Sequence, residues 1–226
     1  MGKLIAIDGL DGSGKHTQCE MLLHTLEEQG RNVRLISFPK YESESSSLVR
    51  MYLRGDFGKN PDDVNAYASS TFYAVDRYAD YMMNWKDFYE EKDSIIIADR
   101  YTTANAVHQL AKLDHNYWEP FLSWLFDFEY VKMGIPKPDL VIFLEMKPEI
   151  SQRLVKSRSE KTGQKRDIHE VDPDYINRCY NAAKYTADNH GWKRITCFKG
   201  KEPLSPESIH EQVEKEVTYL LDVNNG

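Results

Sequence analysis

A glycine-rich stretch, Gly9-Leu10-Asp11-Gly12-Ser13-Gly14-Lys15-His16-Thr17, follows directly on the apolar run Leu4–Ile7 and opens a helical pattern. Glycines let the backbone fold tightly enough for successive N–H groups to converge on phosphate oxygens, and the helix adds the positive end of its dipole. Lys15 is placed to reach the β- and γ-phosphates of a nucleoside triphosphate. The strict pattern puts Ser or Thr after the lysine to hold Mg²⁺; here His16 takes that place. Thr17 is no substitute, because one residue along a helix turns a side chain by about 100°. A second run, Ser94–Asp99, ends in a carboxylate followed by Arg100. If both runs are parallel strands, Asp8 and Asp99 reach the same sheet edge as the loop, where either can reach Mg²⁺ directly or through water. Asp99 capping the next segment is the plainer alternative. Arg77 and Arg100 are forked donors suited to anion or base recognition, although a lone arginine usually ends in a surface ion pair.

The elements that must carry these residues alternate along the chain. Lys3–Asp8, Asn32–Phe38, Ser94–Asp99, Asp139–Glu145 and Arg194–Phe198 read as strands, with apolar residues in blocks as expected for strands buried on both faces. Helical patterns cover roughly Lys15–Gln29, Ser45–Leu53, Asn65–Glu91, Tyr117–Lys132, Pro148–Lys156, Pro173–His190 and Ser205–Leu221. Gly30 suits a C-cap of the first, and Ser205-Pro206-Glu207 suits the start of the last. Such alternation predicts right-handed βαβ units in a doubly wound α/β sheet, as one domain over residues 1–226. The segment Lys156–Arg166 sets Lys156, Arg158, Lys161, Lys165 and Arg166 against a single Glu160, without an apolar anchor. It reads as a solvated loop or as a lid, over about residues 156–171, that closes on something anionic.

Composition narrows the partners. The 226 residues carry 29 Lys+Arg against 36 Asp+Glu, a net charge of −7, which argues against nucleic-acid binding by blanket phosphate neutralisation. Apolar runs such as Leu140–Leu144 are strand-sized, so no membrane partner is expected. Leu4–Ile7 lacks the flanks of a signal peptide, and Cys19, Cys179 and Cys197 are too far apart to read as a disulfide framework. A cytoplasmic protein is the expectation.

Together, the segments IDGLDGSGKHTQ (7–18), FPKY (38–41), FYAVDR with Tyr73 and Arg77, ADRYTTAN (98–105) and PKPDLVIFL (136–144) resemble the thymidylate kinase family along nearly the whole chain. The resemblance implies a five-stranded parallel sheet with helices on both faces, the P-loop kinase fold, usually paired as a homodimer. The apolar helix around Trp118, Phe121, Leu122, Leu125 and Phe126 suits either such an interface or a buried core. By the same resemblance, Gly9, Asp11, Gly12, Ser13, Gly14, Lys15, His16 and Thr17 would bind ATP, and Mg²⁺ would fall to Asp8, Asp99, phosphates and water, with Glu170 a weaker candidate. Phe38 and Tyr41 would line the acceptor pocket, with the Tyr41 hydroxyl and Arg100 meeting the 5′-phosphate. Tyr73 would stack on thymine, Arg77 would donate to a base carbonyl and Asn105 would pair with the remaining base edge. His108 stands where the family usually has a tyrosine beside the sugar. The loop interior Leu10–Ser13 holds no basic residue, so Arg158 or Arg166 of the lid would stabilise the transferring phosphoryl group. The catalytic set is therefore Asp8, Lys15, Arg100, Arg158 and Arg166.

The expected reaction is transfer of the γ-phosphoryl of ATP to dTMP, giving dTDP and ADP. A monophosphate acceptor, already largely dianionic at pH 7, needs cations rather than a base, which Lys40, Arg77 and Arg100 would supply. A nucleoside kinase would need a carboxylate base, and Asp8 keeps that alternative, like another monophosphate kinase on the same core, open. A nucleotide-driven switch lacks its Asn-Lys-x-Asp signature here, and an inactive nucleotide binder rests on His16 alone.

Overall fold

The computed structural model describes residues 1–162 and 172–223. Five strands, β1 (Lys3–Gly9), β2 (Val33–Ser37), β3 (Ile95–Asp99), β4 (Leu140–Glu145) and β5 (Lys193–Thr196), form one parallel sheet in the order β2-β3-β1-β4-β5. After β2 and β3 are laid on one side of β1, the chain crosses to β4 on the other. The crevice at the C-terminal ends of β1 and its two neighbours is where open sheets of this kind take their ligands. Register places Ile7 beside Asp99 and Asp8 beside Phe143, so both carboxylates do reach that edge.

The blocks of apolar residues in β1 and β3 are buried throughout, as two-sided coverage demands. Alternate residues serve opposite faces. Ile5, Ile7, Ile97 and Leu144 pack with Leu22 of α1 (Lys15–Glu28) and Val213 of α9 (Pro206–Val223). Leu4, Ala6, Ile96 and Ala98 pack with Trp85 and Phe88 from the helical stretch α3 (Ala66–Asp80), a π-helical turn (Tyr81–Trp85) and α4 (Lys86–Glu90). Phe143 packs with Phe121, Leu122 and Leu125 of α6 (Trp118–Phe126) and Tyr175 and Cys179 of α8 (Pro173–Asn189). The face of α6 that carries Phe121, Leu122 and Leu125 is therefore buried in the core, while Trp118, Trp124 and Phe126 are partly exposed. All three cysteines are free and buried.

Local signals act where expected. Gly30 (φ 71°) ends α1, with Gly30 N–H bonded to the Glu27 carbonyl at 2.9 Å and Arg31 N–H to that of Leu26 at 3.0 Å, a Schellman closure. Ser205 caps α9 through the Ser208 N–H at 3.2 Å, with Pro206 at the first helical position. Three differences stand out. The short helix α5 (Thr102–His108) has too little periodicity over seven residues, two of them threonines, to be seen in sequence. A small hairpin pairs Phe198–Lys199 with Glu202–Pro203. Finally, α7 (Pro148–Thr162) runs on past Lys156, because Lys, Arg and Glu are good helix formers and Lys156 lies 4.0 Å from Glu160 one turn on. The first half of the basic segment is thus helical, while Arg166 and Glu170 lie outside the described residues.

Candidate active site

The glycine-rich loop spans the end of β1 and the start of α1. Gly9 must be glycine: a Cβ there would stand 2.7 Å from the Leu144 carbonyl oxygen of the neighbouring strand. Gly14 (φ 89°) opens α1 from a left-handed conformation with no side-chain cap, so the first-turn N–H groups are left for an anion. Ser13 Oγ is buried with no hydrogen-bond partner among the described residues, a second polar group in the loop that awaits one. The buried Lys15 ammonium donates to the carbonyls of Gly9 and Leu10 at 2.9 Å and lies 3.9 Å from Asp11. Burial, then the nearby Arg100, lowers its pKa.

Opposite the loop, Arg100 sits in left-handed backbone (φ 66°), an uncommon state for a side-chain-bearing residue and one that collects at functional sites. Its backbone N–H bonds to the Ile7 carbonyl at 3.2 Å, and one guanidinium nitrogen donates to Asp11. The other lies 3.0 Å from His108 Nε2. Arginine only donates, so Nε2 accepts and the imidazole proton resides on Nδ1, which faces Cys179 Sγ at 3.7 Å. Burial opposes the charge of Arg100, but Asp11, Asp8 and Asp99 more than offset it and hold the guanidinium protonated. Loop and strand end thus meet through Asp11, with a cation on either side.

Between them opens a cleft of about 1400 Å³, lined by Asp11–Thr17 of the loop and by Phe38, Tyr41, Tyr73, Arg77, Asp99, Arg100, Asn105, His108 and Arg158. Most sequence-predicted residues therefore converge. Asp8 does not: it has no exposed surface, Gly9 N–H donates to one oxygen at 2.9 Å and the Thr103 hydroxyl to the other at 2.7 Å. Expected as a metal ligand and catalytic carboxylate, it lies behind the loop and shapes it. Gly9 likewise shapes the loop without lining the cleft. His16 is exposed, with its ring nitrogens 3.5 Å from Asp99 and 3.3 Å from Glu20. Among the described residues no cluster of three or more His, Cys, Asp or Glu could itself cage a metal. Two carboxylates, Asp11 and Asp99, do line the cleft beside the loop, the sparse donor set that suits an ion held mainly by phosphates.

Two expected cations are each paired with a carboxylate. Lys40 pairs with Asp80 at 3.6 Å, and Arg77 is locked to Glu129, its Nε and Nη2 donating to the two carboxylate oxygens at 2.7 and 2.6 Å. Burial opposes the Arg77 charge, yet Glu129 raises its pKa overall. Sequence reasoning missed Glu129, because only the fold brings a π-turn at Asp127–Lys132 against α3. It also missed Arg50 of α2 (Ser47–Leu53), which lines the cleft and holds the Tyr41 and Ser43 carbonyls at 2.6 and 2.7 Å. A third omission is the buried Asp76, which accepts from Lys40 N–H at 2.8 Å and Ser45 Oγ at 2.6 Å and so fixes the FPKY turn. Asp76 falls two turns after Ser69 on the buried side of α3.

A phosphate-binding loop at the edge of a parallel sheet, faced by a strained arginine and an aromatic wall, defines a P-loop phosphotransferase. The comparisons narrow the class. Residues 7–203 match the family described as Thymidylate kinase. A thymidylate kinase of Mycobacterium tuberculosis is 32% identical over 177 residues, 77% of this chain and 81% of that relative. A probable thymidylate kinase of Pyrococcus horikoshii is 30% identical over 162 residues, covering 71% and 73%. The solved structure of thymidylate kinase from Candida albicans superposes with a TM-score of 0.69 at 20% identity, covering 96% of this chain and 92% of that one, and shares the fold. This chain belongs to the thymidylate kinase family.

The buried Asp8 gives a first test. Burial pushes its carboxyl up, against the pull of Arg100, Lys15 and Thr103. A folded-state pKa above the unfolded value of about 3.9 means that its contribution is fully present below that value and is lost as pH rises through the folded one. Asp8→Asn is nearly isosteric and can satisfy both Gly9 N–H and Thr103. In urea titrations between pH 4 and 7 the variant should therefore lose less stability with rising pH than the wild type. Parallel curves would mean that Asp8 ionises as freely as an unfolded carboxylate.

Proposed function

We propose that this chain transfers the γ-phosphoryl group of ATP to dTMP, giving dTDP and ADP. The observation that carries this reading is the pairing of Arg100 with the loop across Asp11, which sets a cation where an acceptor phosphate would meet the triphosphate. ATP phosphates would lie on the first-turn N–H groups of α1 and Lys15, with the base toward Met146, Leu204 and Ile209 at the apolar end of the cleft. The acceptor would lie between Phe38, Tyr41 and Tyr73, its thymine against Tyr73, Arg77 and Asn105. An oxygen of the dTMP phosphate attacks the γ-phosphorus in line, its new P–O bond replacing the bond to the β-phosphate oxygen, and ADP leaves. Arg100 and Lys15 would hold two anions together long enough for this, with Arg158 and Arg166 available from the basic segment. Asp11 and Asp99 would hold Mg²⁺, which when bound neutralises charge across the β- and γ-phosphates.

A specific observation speaks against the nucleoside-kinase alternative. The carboxylate that would serve as its base, Asp8, is buried off the cleft with both oxygens engaged. The reading places one kinase domain in the cytoplasm; among the described residues no helix is long and apolar enough to cross a membrane.

A homodimer is part of the proposal. Exposed apolar side chains line one side of α3 at Tyr67, Val75 and Tyr78 and of the following π-helical turn at Met82, each 39–45% exposed. Such a stripe suits a second copy of the same helix in an isologous contact. Sedimentation should show a wild-type dimer at micromolar concentration and a Val75→Glu monomer. A wild-type monomer would remove the interface.

Arg100→Ala tests the reaction itself. In an ADP-release assay with ATP–Mg²⁺ and dTMP, the variant should lose roughly 10³-fold or more in kcat/KM while ATP affinity stays within about threefold. An equal collapse of ATP affinity would place Arg100 on the donor and overturn its assignment.

A further inference from the structure

Glu129 is fully buried, does not line the cleft and lies on a π-turn outside every quoted motif, yet it binds two residues that do line the cleft. One of its oxygens accepts from Arg77 Nη2 at 2.6 Å and Asn105 Nδ2 at 3.3 Å. The other accepts from Arg77 Nε at 2.7 Å and the Thr102 hydroxyl at 2.7 Å. A buried carboxylate with so many donors is fully compensated and rigid. Its effect on Asn105 is chemical as well as geometric. Asn105 Nδ2 also faces the Ser70 carbonyl at 3.3 Å. Both neighbours are pure acceptors, so only the NH₂ end of the amide can turn toward them, and Oδ1 is left as an acceptor for the cleft. Arg77 can only donate; with Nη1 held to the Tyr101 carbonyl at 3.3 Å, the guanidinium is fixed in place with donors to spare.

We propose that Glu129 is a positioning residue that sets base selectivity: by gripping Arg77 and orienting Asn105, it makes the cleft present a donor beside an acceptor. This rests on the dTMP reading. The edge of thymine offers O4 as an acceptor beside N3–H as a donor, the complement of that pair. Cytosine reverses both, offering an N4 amine donor beside an N3 acceptor. A site with fixed, buried polar partners rejects the reversed edge because each mismatch leaves a group unpaired. Glu129 thus discriminates without touching the base.

The test uses Glu129→Gln and Glu129→Asp in the full chain, with dTMP and dCMP as acceptors and calorimetric binding alongside kinetics. Gln frees the Asn105 amide to turn; Asp keeps the charge that neutralises Arg77 but falls one methylene short of Asn105. Each should raise KM for dTMP about tenfold or more while saturated kcat changes less than about threefold and KM for ATP is unchanged. The dTMP-over-dCMP preference should fall by about tenfold or more. A merely structural role would lower activity toward both acceptors alike. Wild-type preference in both variants would therefore overturn the proposal, and Glu129→Asp decides alone if Glu129→Gln does not fold. A wild-type chain that binds neither monophosphate would overturn the dTMP reading, and this inference with it. A wild type that turns over dTMP with unaltered preference in the variants fails the inference only.

Discussion

The uncapped start of α1 is the constraint around which the site is built. A helix N-terminus leaves backbone N–H groups without partners, and here Gly14 offers no side chain to satisfy them. Proteins seldom leave such groups idle in a cleft; they are tolerated where an anion is to be bound. The parallel sheet then does the positioning. All five strands end at the same edge, so the loop after β1, the Asp99-Arg100 pair after β3 and the start of α7 after β4 converge without any long connection. Asp11 ties the convergence together, bonding Arg100 through its carboxylate and the Ser151 hydroxyl through its carbonyl.

Around that anchor the charge is carefully neutralised. Lys15 is folded onto loop carbonyls, Arg100 onto Asp11, Lys40 onto Asp80 and Arg77 onto Glu129. The arrangement matches an acidic protein with a locally cationic pocket. Lys15 and Arg100, held by loop carbonyls and by Asp11 at the rim of the cleft, are pre-oriented for an arriving phosphate, while Lys40 and Arg77 stay with their carboxylates.

Much of this was legible in the sequence, for physical reasons. The unbroken apolar blocks at Leu4–Ile7 and Ile95–Ile97 are buried on both faces, the pattern expected of strands inside a parallel sheet. Gly30 and Ser205 act through their own backbone, and the loop glycines answer to local geometry; such signals need no distant partner. The comparisons bear out the family and the fold that the motifs implied. What was illegible depends on distance in sequence. Glu129 meets Arg77 across 52 residues, Asp76 holds Lys40 across 36, and the Arg100–His108 contact needs a helix too short to show a period. The inward setting of Asp8 was illegible for a related reason. A strand-end carboxylate can face the cleft or the interior, and Thr103, supplied by that same unseen helix, draws it inward.

The acceptor this site fits is a nucleoside monophosphate with a thymine base. The most direct measurement is ³¹P NMR of the wild-type chain with ATP–Mg²⁺ and, in separate samples, dTMP or thymidine. With dTMP the paired α and β resonances of dTDP should appear as ATP is converted to ADP, while thymidine should yield no phosphorylated product. Formation of dTMP from thymidine, with added dTMP untouched, would contradict it.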